Sequence, residues 1–196
     1  MALPTYNKEA RRKSFELLPK GAYVVKIKSA KEDSWPSGDK VIRIAFDIAE
    51  GKYKDFYQKA FDSNKNEDKK WPYDAVYSLS VPSDGCKDYV WTNWNTFFAD
   101  LEDSNNGFVF DGDVKKLNGK LIGGKFRNVQ SEHNGNVYDH TRLEWTCVAE
   151  DVRSGNPGRM PNDKLISSNK SESEAIKTDP DGFMEIPDNV EETIPF

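Results

Sequence analysis

Gly21-Ala22-Tyr23-Val24-Val25-Lys26-Ile27-Lys28 is the stretch that decides the fold of this chain. Tyr23, Val25 and Ile27 fall on one side of an extended backbone, and Val24, Lys26 and Lys28 fall on the other. A period of two with lysines opposite apolar residues predicts a β-strand with one face buried and one face in water. Residues 29–40 follow as a hairpin-like loop around Trp35-Pro36-Ser37-Gly38-Asp39, whose Pro and Gly have the chemistry of a turn. The alternation then returns, with Ile42, Ile44, Phe46 and Ile48 predicted inward and Val41, Arg43, Ala45 and Asp47 outward. After a break at Glu50-Gly51-Lys52, a third strand is predicted over 55–61, where Phe56, Gln58 and Ala60 alternate with Tyr57, Lys59 and Phe61.

Residues 62–90 break the rhythm with a charged run, then Trp71-Pro72-Tyr73 and a short strand-like piece near 77–81, and read as an inserted loop region. Trp91, Trp94, Phe97, Phe98 and Leu101 recur at spacings of three and four, the stripe of one helix, which Ser104-Asn105-Asn106-Gly107 ends. Two further strands are predicted over 120–130 and 138–151, joined at Asn134-Gly135-Asn136. In the second, Leu143, Trp145, Cys147 and Ala149 share one face. Gly123-Gly124 inside the first marks a sharp bend or the close approach of another backbone. Three strands, a helix and two strands are the element order of an OB-fold, a mainly β, five-stranded Greek-key barrel that binds oligonucleotides.

The 196 residues carry 28 Lys and Arg against 33 Asp and Glu, a formal net charge of −5. Through Gly155 the two signs balance at 24 each, and 156–196 holds 4 basic and 9 acidic residues. The acidity therefore belongs to the C-terminal segment, and a neutral core can still present a basic groove. From Ser154 onward Gly, Pro, Asn, Ser and Lys replace apolar periodicity, the composition of a linker. Cys86 and Cys147 are too few for a disulfide framework, and no secretory signal or apolar run of membrane-spanning length is present, which predicts a cytoplasmic protein with no membrane partner.

Catalysis finds no residue to rest on, so neither an enzyme nor a cofactor is expected. His133, His140, Cys86 and Cys147 match no compact zinc spacing, and Asp111-Gly112-Asp113 reads as a turn. Gly51-Lys52-Tyr53 and Gly119-Lys120-Leu121 lack the rest of a phosphate loop, and no serine stands in a nucleophile elbow.

Two resemblances extend this reading. The ending Asp188 to Phe196, with Glu191 and Glu192 before Thr193-Ile194-Pro195-Phe196, resembles the acidic Ile-Pro-Phe tail of bacterial and bacteriophage single-stranded DNA-binding proteins. It implies that Asp188, Glu191, Glu192, Ile194, Pro195 and Phe196 recruit replication, recombination or repair proteins. The runs Phe15-Glu16-Leu17-Leu18-Pro19-Lys20-Gly21, Ile44-Ala45-Phe46-Asp47-Ile48, Gly51-Lys52-Tyr53 and Gly119-Lys120-Leu121-Ile122-Gly123-Gly124 are similar to small phage and prophage proteins of Gram-positive hosts. That likeness implies an OB-fold core that binds single strands inside a bacterial host cell. The segment 62–90 departs from it.

The resulting layout is an N-terminal arm at 1–20, an OB-fold domain at 21–153, a flexible linker at 154–187 and a recruiting tail at 188–196. Single-strand capture needs cations along the phosphates and aromatic faces for the bases. Lys26, Lys28, Trp35, Arg43, Tyr57, Lys59, Phe61, Lys125 and Arg127 are placed on the outward face, and Trp71, Tyr73 and Tyr77 are further candidates that either add to this surface or cover the barrel. One barrel covers few nucleotides, so a homo-oligomer would extend the footprint. The competing class is an OB-like protein adaptor that uses the same aromatic and basic face without nucleic acid.

Overall fold

The computed structural model describes residues 16–166. Residues 1–15 of the expected arm, 167–187 of the expected linker and the tail at 188–196 lie outside the described residues. Strand β1 (Gly21–Ser34) and strand β2 (Lys40–Ile48) pair antiparallel, so the first strand is six residues longer than its clean alternation, and the turn shrinks to Trp35–Asp39. Gly38 at φ 93° closes that turn, where its N–H donates to the Trp35 carbonyl at 2.9 Å. A bulge between Ile27 and Ser29 leaves Lys28 unpaired. Lys28 and Ser29 are consequently both exposed, and Ala30 returns to the core side.

The predicted third strand is a helix. Helix α1 (Phe56–Ser63) occupies the stretch because Phe56, Tyr57, Ala60 and Phe61 are also spaced i, i+1, i+4, i+5, which suits one face of a helix. The decisive partner is remote in sequence: the buried Asp47 carboxylate accepts from Tyr57 N–H and Gln58 N–H, both at 3.0 Å, and so satisfies the free donors of the first turn. Strand β3 (Val76–Ser80) lies instead inside the segment read as an insertion, reached through a single 3-10 turn at Tyr73–Ala75.

Helix α2 (Asp88–Ser104) follows the expected stripe, with Phe97, Phe98 and Leu101 buried and Trp94 half-buried, but Trp91 is exposed. Strands β4 (Leu121–His133) and β5 (Asn136–Cys147) form a long hairpin, and a short helix α3 (Ala149–Arg153) replaces the end of the predicted last strand. The pairings among these five strands are all antiparallel, and the open sheet has the order β3-β2-β1-β4-β5. The core lies on one side of it, where Val25, Ile27, Ile42, Ile44, Phe46 and Phe126 meet Phe97 and Leu101 of α2. Phe126 contacts Phe46 and Tyr23 edge-on at 5.7 and 5.5 Å between ring centres, a geometry that adds about 0.5–1.5 kcal/mol per pair to simple burial.

Gly123 and Gly124 mark the expected close approach. A Cβ on Gly123 would stand 2.7 Å from Cys147 Sγ, and one on Gly124 would stand 2.7 Å from Leu143 Cδ1. A register shift between Lys125 and Phe126 leaves Glu144 as the extra residue of β5. It pairs Leu143 with Phe126 in the core and turns Trp145 outward opposite Lys125, so Leu143 and Trp145 do not share a face.

Residues 154–166 are not the start of a free linker. β4 runs past the first residue of β1, since Gly21 pairs with Phe126, and this leaves a bare edge beyond. The extension fills it: Lys164 N–H donates to Asn128 O and Gln130 N–H donates to Lys164 O, each at 2.9 Å. No described helix is long and apolar enough to cross a membrane.

Candidate functional site

The sheet has two outward surfaces with different fates. Over β1 and β4, α3 packs across the strands, and Val24 is only 4% exposed beneath it. Over β1, β2 and β3 the surface is open around the exposed Ser29, Lys31 and Asp33, although Val41 and Asp47 on the same face are buried, and its centre is a stack: the Arg43 guanidinium lies 4.1 Å from the Trp35 ring centre. Local structure fixes both partners. The hairpin turn places Trp35 one residue beyond the Ser34–Lys40 pair, and period two puts Arg43 outward between Ile42 and Ile44.

Arg43 is held from two further sides. It donates to Ser78 Oγ on β3 at 2.5 Å and faces Asp33 at 3.6 Å. The Ser34 N–H, with Lys31 and Arg43 nearby, holds the Asp33 carboxyl below its ordinary range. Lys31 pairs with Arg43 across the strands and shares its face. Lys26 and Lys28 continue the stripe along β1 to a depression of about 310 Å³ shared with Lys54, Glu50 and Asp55. Neither Lys26 nor Lys28 makes an ion pair among the described residues. Chemically, this is a row of cations ending on an aromatic plane, able to hold a polyanion carrying flat groups.

The remaining sequence candidates divide. Tyr57 was expected outward and is 4% exposed, set edge-on to Phe46 at 5.8 Å. Its hydroxyl has no hydrogen-bond partner among the described residues, and burial, with the Asp74 and Asp47 carboxylates, pushes the phenol far up. Lys59 is exposed on α1 and donates to the Lys54 carbonyl at 2.8 Å. Phe61 packs on Trp71 at 5.6 Å with Lys69 above it at 4.5 Å, and Trp71 Nε1–H donates to Ala75 O. Those two rings anchor the loop that feeds β3. Tyr77 points to the core side and stacks on Phe97 at 6.0 Å, its phenol pushed up to about 12 by burial.

Lys125 and Arg127 were also expected on the open face. Both are engaged by the covering segment instead, Lys125 donating to Arg159 O at 3.4 Å and Arg127 to Asn162 O at 3.3 Å. Arg127 further pairs with Glu144 at 2.9 Å. The extension that covers them had been assigned to linker, which is why alternation alone misplaced them.

Tyr73 is the most open of the aromatic candidates at 71% exposed, and Arg142 of β5 lies 4.5 Å over its ring. Asp74 beside it accepts from Arg142 Nε at 3.2 Å and meets His140 Nδ1 at 3.1 Å, while His140 Nε2 meets Ser131 Oγ at 2.8 Å. This chain of contacts joins the entry of β3 to β5, the two edge strands of the sheet. Sequence reasoning missed Lys31, Arg142 and the exposed Tyr138 of the β4–β5 hairpin. The bulge at Lys28 hides the parity of Lys31, while Arg142 has meaning only next to Tyr73.

Among the described residues no group of three or more His, Cys, Asp or Glu side chains is placed to hold a metal ion. Asp111 pairs with Lys116, and Asp113 caps the turn at Val114–Leu117 by accepting from Lys115 N–H at 3.0 Å.

Residues 5–80 match the model of a family described as a protein of unknown function, DUF669. The match closes on the last residue of β3 and so spans all three strands of the open face. No curated protein matches the chain.

Proposed function

We propose that this chain is a non-catalytic single-stranded DNA-binding protein that acts in replication, recombination or repair in the cytoplasm of a bacterial host. The observation that carries the reading is the Trp35–Arg43 stack on the uncovered face of β1, β2 and β3, in line with Lys31, Lys28 and Lys26. Cations along β1 neutralise phosphates without regard to sequence, and the Trp35 plane receives an unpaired base, an interaction worth about 1–3 kcal/mol. Duplex DNA offers the same phosphates but keeps its bases stacked inside, which gives a preference for single strands.

The strand order supports an OB-type barrel. The order β3-β2-β1-β4-β5, with α2 between β3 and β4, is the OB order opened between β3 and β5. The Asp74 contacts to His140 and Arg142 bridge that opening through side chains. In the same reading the Ile194-Pro195-Phe196 tail recruits partner proteins, and further copies of the chain extend the footprint.

Titration with oligo-dT, followed by tryptophan fluorescence at low and moderate salt with the matching duplex as control, tests the reading. Quenching by the single strand only, weakening as salt rises, is the expected result. No response to either nucleic acid, confirmed by gel shift, would reject it in favour of a protein adaptor.

A further inference from the structure

A second surface of the molecule is chemically unlike the basic face. A cavity of about 410 Å³ opens beside the turn end of the β1–β2 hairpin, with a floor of Ile42, Val81, Trp94, Phe110 and Val114. Its aromatic walls are braced. Phe110 stacks on Phe98 with ring centres 4.0 Å apart and planes 15° apart, and Trp94 meets the same Phe98 edge-on at 4.8 Å. The loop that carries Phe110 is tied down where its N–H donates to Glu102 Oε1 at 2.9 Å. An apolar group can therefore enter without rearranging the floor, the condition under which burial is most favourable.

Two exposed apolar residues stand near the lining in sequence: Trp91, one turn before Trp94 on α2, is 49% exposed, and Val109, next to Phe110, is 72% exposed. The polar lining selects among occupants: Glu32 stands unpaired among the described residues near the ammonium of Lys40, and Asp33 is shared with Arg43 at 3.6 Å. Asp111 and Asp113 flank the lining residue Gly112, with Lys116 paired to Asp111. Phosphates are repelled by this rim, whereas a cationic chain is drawn to it.

We infer that this cavity is a docking site for a protein segment that presents a large apolar side chain flanked by Lys or Arg. The apolar side chain fills the space between Trp94, Phe110 and Val81, and its basic neighbours face Glu32 and Asp33. Such a site adjoins the basic face at Asp33, which faces Arg43 as well as the cavity, and gives the protein a second partner of opposite charge preference.

The test uses the full chain labelled with nitrogen-15 and two probes, acetyl-Lys-Trp-Lys-amide and acetyl-Glu-Trp-Glu-amide, with thymidine monophosphate as a third. The basic peptide is expected to shift the amide signals of Val81, Gly112 and Val114 and to bind more tightly than the acidic one. Glu32→Lys should weaken it about threefold, the scale of one rim charge pair. Val81→Lys should weaken it at least about tenfold by placing a cation in the pocket that receives the anchor. Parental melting temperatures in both variants show that the fold is kept. Equal binding of the two peptides, or shifts confined to other residues, would overturn the inference. Tighter binding of thymidine monophosphate at these amides would overturn it too and make the cavity a nucleotide subsite. The oligo-dT titration reads a different surface, so either result can fail alone.

Discussion

Two cation-bearing faces of the same sheet have opposite roles. On β1 and β2, Lys26, Lys28, Lys31 and Arg43 line an uncovered surface; on β4, Lys125 and Arg127 lie under residues 154–166 and donate to that segment's carbonyls. Both sets stand on the side of their strands away from the core. What separates them is whether another part of the chain needs their donors. Arg127 makes the point most clearly, since it binds Asn162 O and Glu144 and its Nε atom is buried without a partner among the described residues. A basic residue on a strand face is thus available to a ligand only where the chain leaves that face bare.

The sharpest break of this contrast is Trp35→Ala. It should lower oligo-dT affinity by about 1–3 kcal/mol, the scale of one lost stack, and leave the melting temperature nearly unchanged because Trp35 sits at a turn. Undiminished affinity would remove the open face from consideration. The opposite pattern is expected of Arg127→Met. Losing a partly buried, hydrogen-bonded guanidinium should cost about 1–3 kcal/mol of stability, seen as an earlier urea midpoint, while oligo-dT affinity holds. A loss of affinity with intact stability would show that β4 also meets DNA.

A smaller effect concerns the cover itself. Asp163 accepts from Lys20 Nζ at 2.9 Å and from Asn128 N–H at 3.1 Å, and these bonds, the Lys20 one foremost, hold its carboxyl below the ordinary range. A depressed folded-state value means that the contribution is fully present above the unfolded carboxylate range, near ~4. It fades as pH falls through the lower folded value. Amide exchange at Gln130 and Lys164, measured relative to the intrinsic rate, should therefore rise on acidification below that range. The rise should be absent in Asp163→Asn, and an identical rise there would assign it to other carboxylates.

Much of the core was legible because its signal is local. Alternation over β1 and β2 identified Val25, Ile27, Ile42, Ile44, Phe46 and Ile48, all of them buried. The three-four spacing gave α2, and Gly123-Gly124 announced the contact with Cys147 and Leu143. The misreadings share a cause. Residues 55–61 fit both periods, and the arbiter was Asp47, eight residues earlier and buried rather than outward. β3, five residues long, was picked out only as a strand-like piece near 77–81 inside a segment read as an insertion, because so short a run gives no sign of which strand it pairs with. At the candidate site, Arg43, Lys26 and Lys28 were picked out from the strand pattern and Trp35 from the turn chemistry of its loop, whereas Tyr57, Tyr77, Lys125 and Arg127 were misassigned because helix packing and the C-terminal extension decide them.

The sequence by itself determined a mainly β chain with an amphipathic helix before its last hairpin, since hydrophobic periodicity is a property of neighbours along the chain. Only the tertiary structure decided which lysines and aromatics face solvent. Burial and hydrogen-bond donation depend on contacts between residues far apart in sequence: Asp47 with α1, Asp163 with Lys20, and Arg127 with Asn162. No local pattern encodes those distances, and the position of the open face follows from them.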